Sequence, residues 1–336
     1  MKKLFTLLAL TITFSMNAQV STDGTSNSGI DASAIGAETT ASGYSSTAMG
    51  YQTTASGDVS TAIGQQTTAS GNISFAMGDS TTASGNASTT IGVETTASGY
   101  NSIAMGYQTT ASGAVSTAIG QQTTASGDLS FAMGDNSIAS GTVSTAMGNY
   151  TTASGNRSTA MGRYTIASDY ASLVIGLYNS SGSSVTDSDT SFSTSNTAFV
   201  IGNGTSDSLS DAFKVMFNGD TTVSNDLTVS GDVNVNSDAR LKSNIVSLGS
   251  TLSKLLLIDG KSYVMNRNGK QKIGVLAQEI QEVFPELVSE DDNDILAVNY
   301  QGLVPVLINA IKEQNEKITR LEVLVEKLIK WKPWIK

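Results

Sequence analysis

The 336-residue sequence contains no cysteine and no histidine. The first absence excludes disulfides, so an exported protein of this kind must gain stability elsewhere, for example by assembly. The second excludes His-based triads and the commonest zinc sites. Proline is scarce, with 3 residues, and only 14% of residues are charged. Disordered chains combine high charge with few β-branched residues. This chain is rich in Thr, Val and Ile, and it reads as ordered but built without a large globular core. Basic residues are nearly missing from its first two thirds. Residues 19–236 hold 16 acidic residues and 3 basic ones (Arg157, Arg163 and Lys214), against 13 acidic and 14 basic in residues 237–336. Neither part offers the basic face that nucleic acid requires. No cofactor motif is present. The acidic run Ser289–Asp294 lacks the alternating ligands and the glycine of an EF-hand loop, so it reads as a solvated turn.

Long apolar runs are also missing, apart from the N-terminus. MKKLFTLLALTITFSMNAQ has a basic start at Lys2 and Lys3, a short apolar stretch from Leu4 to Phe14, and Ala18 as the last residue before cleavage. That is the pattern of a secretory signal peptide, too short for a comfortable membrane span. Residues 1–18 are therefore set aside from the fold, and the mature chain is expected outside the cell or at its surface. No integral membrane anchor is expected in the chain.

What is present is a repeat. Gly36, Gly50, Gly64 and their successors to Gly176 recur every 14 residues, each preceded by Ile or Met. Halfway between lies a second series, from Gly43 to Gly155, mostly within TTASG. MGYQTTASGDVSTAIGQQTTASG from Met49 returns four repeats later, from Met105, with one change. Each repeat holds two short segments, such as STAMG and TTASG, in which small and β-branched residues alternate. Period-two alternation argues strand. The glycine ending each segment supplies the positive φ of a tight corner. Two strands and two corners make one coil of a solenoid whose neighbours stack by parallel pairing about 4.8 Å apart. Eleven coils would then form a rod of roughly 50 Å. A glycine every seven residues excludes an amphipathic helix. The expected inward residues are mostly Ala, Ile, Met and Val. They are so small that several chains are inferred to share a core.

The pattern S-x-A-[IM]-G-x-x-T-x-A-S-G, in register from about Ala34 to Gly176, resembles the head repeats of trimeric autotransporter adhesins of the YadA type. The resemblance implies a parallel β-roll shared by three chains. Members of that family end in an outer-membrane β-barrel; no set of C-terminal amphipathic strands is seen here. From Leu177 to Ser210 the repeat decays into a Ser/Thr/Asp-rich loop or neck, with AFVIGNG (Ala198–Gly204) as a last divergent coil. Phe213, Val215, Phe217, Val223, Leu227, Val229, Val233 and Val235 then alternate with polar residues, and Asn218–Gly219 is a hairpin turn signal. This segment resembles the interwoven β-stalks of phage fibres, and an ordinary small antiparallel sheet fits it too.

From Ser237 the composition becomes that of a small α/β module. LGSTLSKLLLIDGKSYVMN reads as a short helix and a strand ended by Asn268–Gly269. KIGVLAQEIQEVFPELV reads as a strand end and a helix with Leu276, Ile280 and Val283 on one face, stopped near Pro285. ILAVNYQGLVPVL reads as a strand and the entry to a long helix. There Val304, Leu307, Ile311, Gln314, Ile318, Leu321, Val325 and Leu328 form a heptad seam. It reads as a helical bundle joining chains rather than one helix packed on its own domain. β-branched residues at a and Leu at d would favour two strands; the expectation of three rests on the β-roll resemblance alone.

SDARLKSNI, GVLAQEIQEVFPELV and AVNYQGLVPVLINAIKEQNEKI, in this order, are similar to the intramolecular chaperone domain of phage endosialidases and tail spikes, serine peptidase family 74. In that family a C-terminal trimer guides assembly of the preceding fibre. It then cuts itself off before the serine of the first motif with a Ser/Lys dyad. The resemblance implies Ser237 as nucleophile, Lys242 as its base, and Asn236–Ser237 as the bond cut. A hydroxyl needs a base to become a nucleophile, and lysine serves only when neutral, which burial favours. Residues five apart do not share a helix face, so a turn or a neighbouring chain must join them, and Asp238 and Arg240 are placed to shape it. From spacing alone, Ser237 reads more readily as a helix N-cap and Lys242 as a solvated surface lysine.

The expected plan is therefore a signal peptide (1–18), a β-roll head (19–176), a neck and β-stalk (177–236) and a self-cleaving chaperone domain ending in a coiled-coil helix (237–336). The expected function is a secreted, trimeric, adhesin-like fibre that loses its chaperone by autocleavage. An inert structural or adhesive fibre with a permanent trimerisation tail is the alternative. A glycan-cleaving fibre would need a paired carboxylate site, and the repeats offer only scattered acids such as Asp58, Asp79 and Asp128. The repeats carry no signature of a particular receptor, whether host, glycan or matrix.

Overall fold

The computed structural model describes residues 24–266, 269–290 and 294–331. The expected signal peptide, Asn268 of the expected turn and the middle of the acidic run lie outside the described residues. The chain divides into two compact units between Ser230 and Gly231, and each is described by itself.

The first unit is a parallel β-solenoid. Every 14 residues give one five-residue strand, such as Thr47–Tyr51, and one two-residue strand, such as Thr54–Ala55. Coils pair in strict register, Met49 with Ile63 and Gly50 with Gly64. The short strands, from Ser26–Asn27 to Ile166–Ala167, build an 11-stranded sheet. The long strands begin at Ser33–Ala37 and run to Leu173–Leu177 in a second sheet that continues beyond the repeats.

The two glycine series do different work. Gly106 has φ +125°, and an added Cβ would lie 2.0 Å from the Gly120 carbonyl oxygen. Gly113 has no positive φ, yet its Cβ would also lie 2.0 Å from the next backbone, at Gly127. Only glycine lets two coils approach this closely, and this need for space recurs in both series. The left-handed corners themselves are occupied by other residues, Gln52 (φ 54°) and Val59 (φ 57°) among them. That conformation costs an L-residue roughly 1–2 kcal/mol, so the closed coil is held against local strain by its backbone ladder.

The interior differs from the expectation. Rows of alanine (Ala48, Ala55, Ala62) and hydroxyl residues (Thr53, Ser60, Thr67) fill it completely buried. The Ile and Met row points outward: Met49, Met77 and Met133 are about two-fifths exposed, and the other members, such as Ile63 and Met105, are half-buried. The reason is the strand period: neighbours Ala48 and Met49 must face opposite sides of one sheet, so only one can be inside. Many of the buried hydroxyls, those of Thr53 and Ser60 included, have no hydrogen-bond partner within the chain. One chain thus hides small residues and shows its larger apolar ones.

After Leu177 the short sheet is closed by side chains. The Asn179 carboxamide accepts from the Ile166 N–H and donates to the Ile166 carbonyl, both at 2.9 Å. These are the two bonds that another strand would have made. Asp169 stands where the preceding coils have glycine and is fully buried. Its carboxylate accepts from the Thr186 N–H (2.6 Å), the Thr186 hydroxyl (2.7 Å) and the Thr197 N–H (2.8 Å), which fastens the intervening loop to the last coil. The long sheet goes on with Thr197–Asn203, parallel to Leu173–Leu177, so AFVIGNG is a further divergent coil. Asp211–Met216 and Thr221–Val223 follow as antiparallel strands, with Asn218–Gly219 at their turn. Leu227, Val229, Val233 and Val235 are exposed and belong to no strand.

The second unit has helix α1 (Leu252–Leu255), an antiparallel pair (Lys261–Val264 with Gln271–Gly274), helix α2 (Ala277–Val283), a second pair (Val288–Glu290 with Leu296–Val298) and the long helix α3 (Leu303–Trp331). Ile280, Phe284 and Val306 form its small core, with Leu255, Ile258 and Val298 against them. The Glu313 carboxylate accepts from the backbone N–H groups of Thr251 and Leu252 and from the Ser250 hydroxyl, capping α1 from 62 residues away. The Thr251 bond, more than the others, holds its carboxyl below the usual glutamate range. Beyond Ala310 the seam of α3 is uncovered: Ile311, Ile318, Leu321, Val325 and Leu328 are all exposed. No described helix is long and apolar enough to cross a membrane.

Two outcomes follow for the solenoid. Gly106→Ala should destabilise it by about 3 kcal/mol or more, through the steric clash and the strained φ, whereas Ser112→Ala, on the exposed face, should stay within about 0.5 kcal/mol. Thermal unfolding followed by circular dichroism separates the two. Asn179→Ala should cost about 1–3 kcal/mol, because the Ile166 amide loses its partner. Hydrogen exchange should then show Ile166 losing protection before the central coils do.

Candidate active site

Ser237 to Lys242 form one tight turn. Asp238 is extended (φ −62°, ψ 135°), Ala239–Leu241 make a 3-10 turn, and Lys242 is extended again (φ −126°, ψ 146°). The Asp238 side chain starts the turn by accepting from the Arg240 N–H at 2.8 Å. Two backbone bonds close it, Leu241 N–H to Asp238 O and Lys242 N–H to Ala239 O, both at 3.1 Å. The Arg240 guanidinium reaches back to both Asp238 oxygens, at 2.7–3.1 Å. That hydrogen-bonded pair holds the Asp238 carboxyl below its usual range and raises Arg240. Exposed ion pairs contribute little stability; the backbone acceptor at Asp238 is what shapes the chain here.

The turn answers how residues five apart can meet. The chain reverses between two extended residues, and the long lysine side chain reaches back. Lys242 Nζ lies 2.7 Å from Ser237 Oγ. As an ammonium, Lys242 donates in this contact. As a free amine it would accept the hydroxyl proton at the same distance, which is the geometry a serine–base pair needs. Every residue from Asn236 to Ser250 is exposed, including Leu241, Ile245, Val246 and Leu248. Among the described residues, nothing covers the pair or excludes water from it.

The other candidate acids have local duties. Asp58 accepts from the Tyr44 N–H and Asp128 from the Ala114 N–H, each linking adjacent coils. Asp79 accepts from the hydroxyl of its neighbour Ser80. None of them forms a facing carboxylate pair. Among the described residues, no group of three or more acidic side chains is placed to hold a metal ion. The turn residues Asp238 and Arg240 were readable from the sequence, whereas Glu313 was not, because no local pattern links it to the segment it caps.

Comparison with known proteins agrees with this division of the chain. Seven stretches, in two overlapping runs over residues 28–81 and 97–165, match the YadA head domain repeat. Residues 237–289 match the chaperone of endosialidase, a match that begins on Ser237 and includes Lys242. The long tail fiber protein Gp37 of Enterobacteria phage K3 is 30% identical over 92 residues, covering 25% of this chain and 7% of that protein. Gp37 of Escherichia phage AR1 is 36% identical over 84 residues, covering 22% of this chain and 8% of its own length. The chain therefore spans less than a tenth of the curated relatives it matches. Its 14-residue repeats are thus similar to YadA head domain repeats, and the segment that begins on Ser237 is similar to the chaperone of endosialidase.

Proposed function

We propose that the protein is an exported, homotrimeric surface fibre whose C-terminal domain guides assembly and then releases itself by cutting the Asn236–Ser237 bond. The observation that carries the cleavage is the 2.7 Å contact between Ser237 Oγ and Lys242 Nζ, immediately beside that bond. Lys242 acts as general base and Ser237 as nucleophile. Being in the same chain as its target, the serine needs positioning rather than substrate binding.

Assembly supplies what the isolated chain lacks. The outward Ile and Met row of the solenoid and the exposed seam of α3 are two apolar faces that further copies can cover. Patches of this kind mark interaction surfaces. Three copies is the number implied by the likeness to YadA head repeats. Covering the dyad would also favour the neutral form of a lysine, because burial penalises its charge. Cleavage would then follow assembly and leave the fibre without its chaperone. The tail fibre relatives and the adhesin-like repeats support a fibre outside the cell.

Purified wild type should yield a fragment whose N-terminus is Ser237. Ser237→Ala, Lys242→Ala and Lys242→Arg should each slow cleavage by about a thousandfold or more, the last because a guanidinium does not give up its proton. Intact mass and N-terminal sequencing read the result. A wild type that stays whole would remove the peptidase and leave a permanent trimerisation tail.

A further inference from the structure

Both tryptophans of the chain, Trp331 and Trp334, stand in the stretch KLIKWKPWIK (327–336), together with four lysines and no acidic residue. The chain as a whole has a net charge of −10, so this stretch opposes the rest in sign. Its first five residues end α3, and residues 332–336 lie outside the described residues. Every residue from Gln314 to Trp331 is exposed, a length of helix of roughly 27 Å at 1.5 Å per residue. The apolar face of α3 changes character along it. Between Lys312 and Arg320 only Ile318 is a large apolar residue. From Leu321 onward the seam is joined by Leu324, Ile329 and Trp331, which lie beside it and are exposed. At about 100° per residue, Trp331, Leu324, Leu328, Leu321, Val325 and Ile329 cover an arc of roughly 160°. That is wider than the strip of a and d positions that other copies would cover, whose flanks ordinarily carry charge. The seam also stops here, because the residue four after Leu328 is Lys332. Lys327 and Lys330 lie along one margin of the widened face, where both border the surface made by Leu324, Leu328 and Trp331.

We infer that this end of α3 docks on an anionic membrane surface. A second copy accounts for the narrow seam but not for its broadening, nor for lysines gathered where the seam ends. Anionic headgroups over acyl chains complement both features. A helix with lysines at its margin and Trp, Leu and Ile on its apolar face settles at the boundary between headgroups and chains. Tryptophan favours that boundary, with its ring in the apolar layer and its N–H in the wet one. Lysine stems lie along the apolar surface while their ammonium groups reach the phosphates, and each adds to the attraction. The acidic remainder of the chain is repelled from the same surface, which confines contact to this end. Assembled copies would engage together and strengthen the contact by avidity. No described helix is long and apolar enough to cross a membrane, and surface docking requires none. Docking of this kind would hold the tail at a membrane while the fibre forms, and the cut at Asn236–Ser237 would free the head from it. That consequence rests on the cleavage reading; the docking itself does not.

Because the chain has only these 2 tryptophans, their fluorescence reports on this stretch alone. The full-length Ser237→Ala protein is titrated with vesicles of phosphatidylcholine, or of phosphatidylcholine with about one-third phosphatidylglycerol. The expected result is a shift of tryptophan emission to shorter wavelength with the anionic vesicles only, shrinking as salt rises. Combining Lys327→Gln, Lys330→Gln, Lys332→Gln and Lys336→Gln should weaken binding about a hundredfold or more with helix content unchanged by circular dichroism. That variant keeps residues 1–18, so any lipid contact made there is common to both proteins. Emission that anionic vesicles leave unmoved would overturn the proposal. An equal shift with both kinds of vesicle would overturn it too, since it reports apolar adsorption without headgroup recognition. Emission that shifts on raising protein concentration alone, and no further with vesicles, would assign the face to other copies and overturn it as well.

Discussion

The constraint on which the head depends is the distance between successive coils. Parallel strands lie about 4.8 Å apart, and in this solenoid backbone meets backbone with no side chain between. The Cβ positions at Gly106 and Gly113 would overlap the next coil's carbonyl oxygens, so glycine at both points is a steric requirement. From it follows the strict 14-residue register, and from the register the rows: like residue stacks on like. Gln52 donates to Glu38, and Tyr150, Tyr164 and Tyr178 stack with ring centroids 4.8 and 4.6 Å apart. The same thinness limits the interior to alanine and small hydroxyl residues. Such an interior buries little apolar area per coil, and larger apolar residues are left on the outside.

Much of this was legible in the sequence because a repeat is read many times over. The glycine period gave the coil, Asn218–Gly219 gave the hairpin, and the spacing from Val304 to Leu328 gave the long helix. Composition places the Ile and Met row inside, whereas the strand period turns it outward. Ala48 and Met49 are neighbours, and only one of them can face inward. Glycine is expected at the corners, yet Gln52 and Val59 hold the left-handed corners while Gly113 provides space. Asn179 and Asp169 could not be anticipated as caps. Their partners, Ile166, Thr186 and Thr197, are set by how a non-repeating loop folds back.

The candidate site shows the same division between local and distant information. Ser237, Asp238, Arg240 and Lys242 lie within six residues, so their turn is a matter of short-range hydrogen bonds. Glu313 reaches the segment after that turn across 62 residues, and only the folded tail brings them together. The unit as a whole is economical in what it covers. Its small core around Ile280 and Phe284 leaves the seam of α3 and the apolar residues from Leu241 to Leu248 in solvent.

Both units thus present apolar rows that the described residues leave at least partly uncovered, and the proposed chaperone role, cleavage after assembly and fibre form all presuppose that other copies bury them. Sedimentation equilibrium on the Ser237→Ala protein, in which head and tail stay joined, examines this directly. The predicted result is a particle of three chains, each of 34.7 kDa before any N-terminal processing. A stable, folded single chain at micromolar concentration would contradict it.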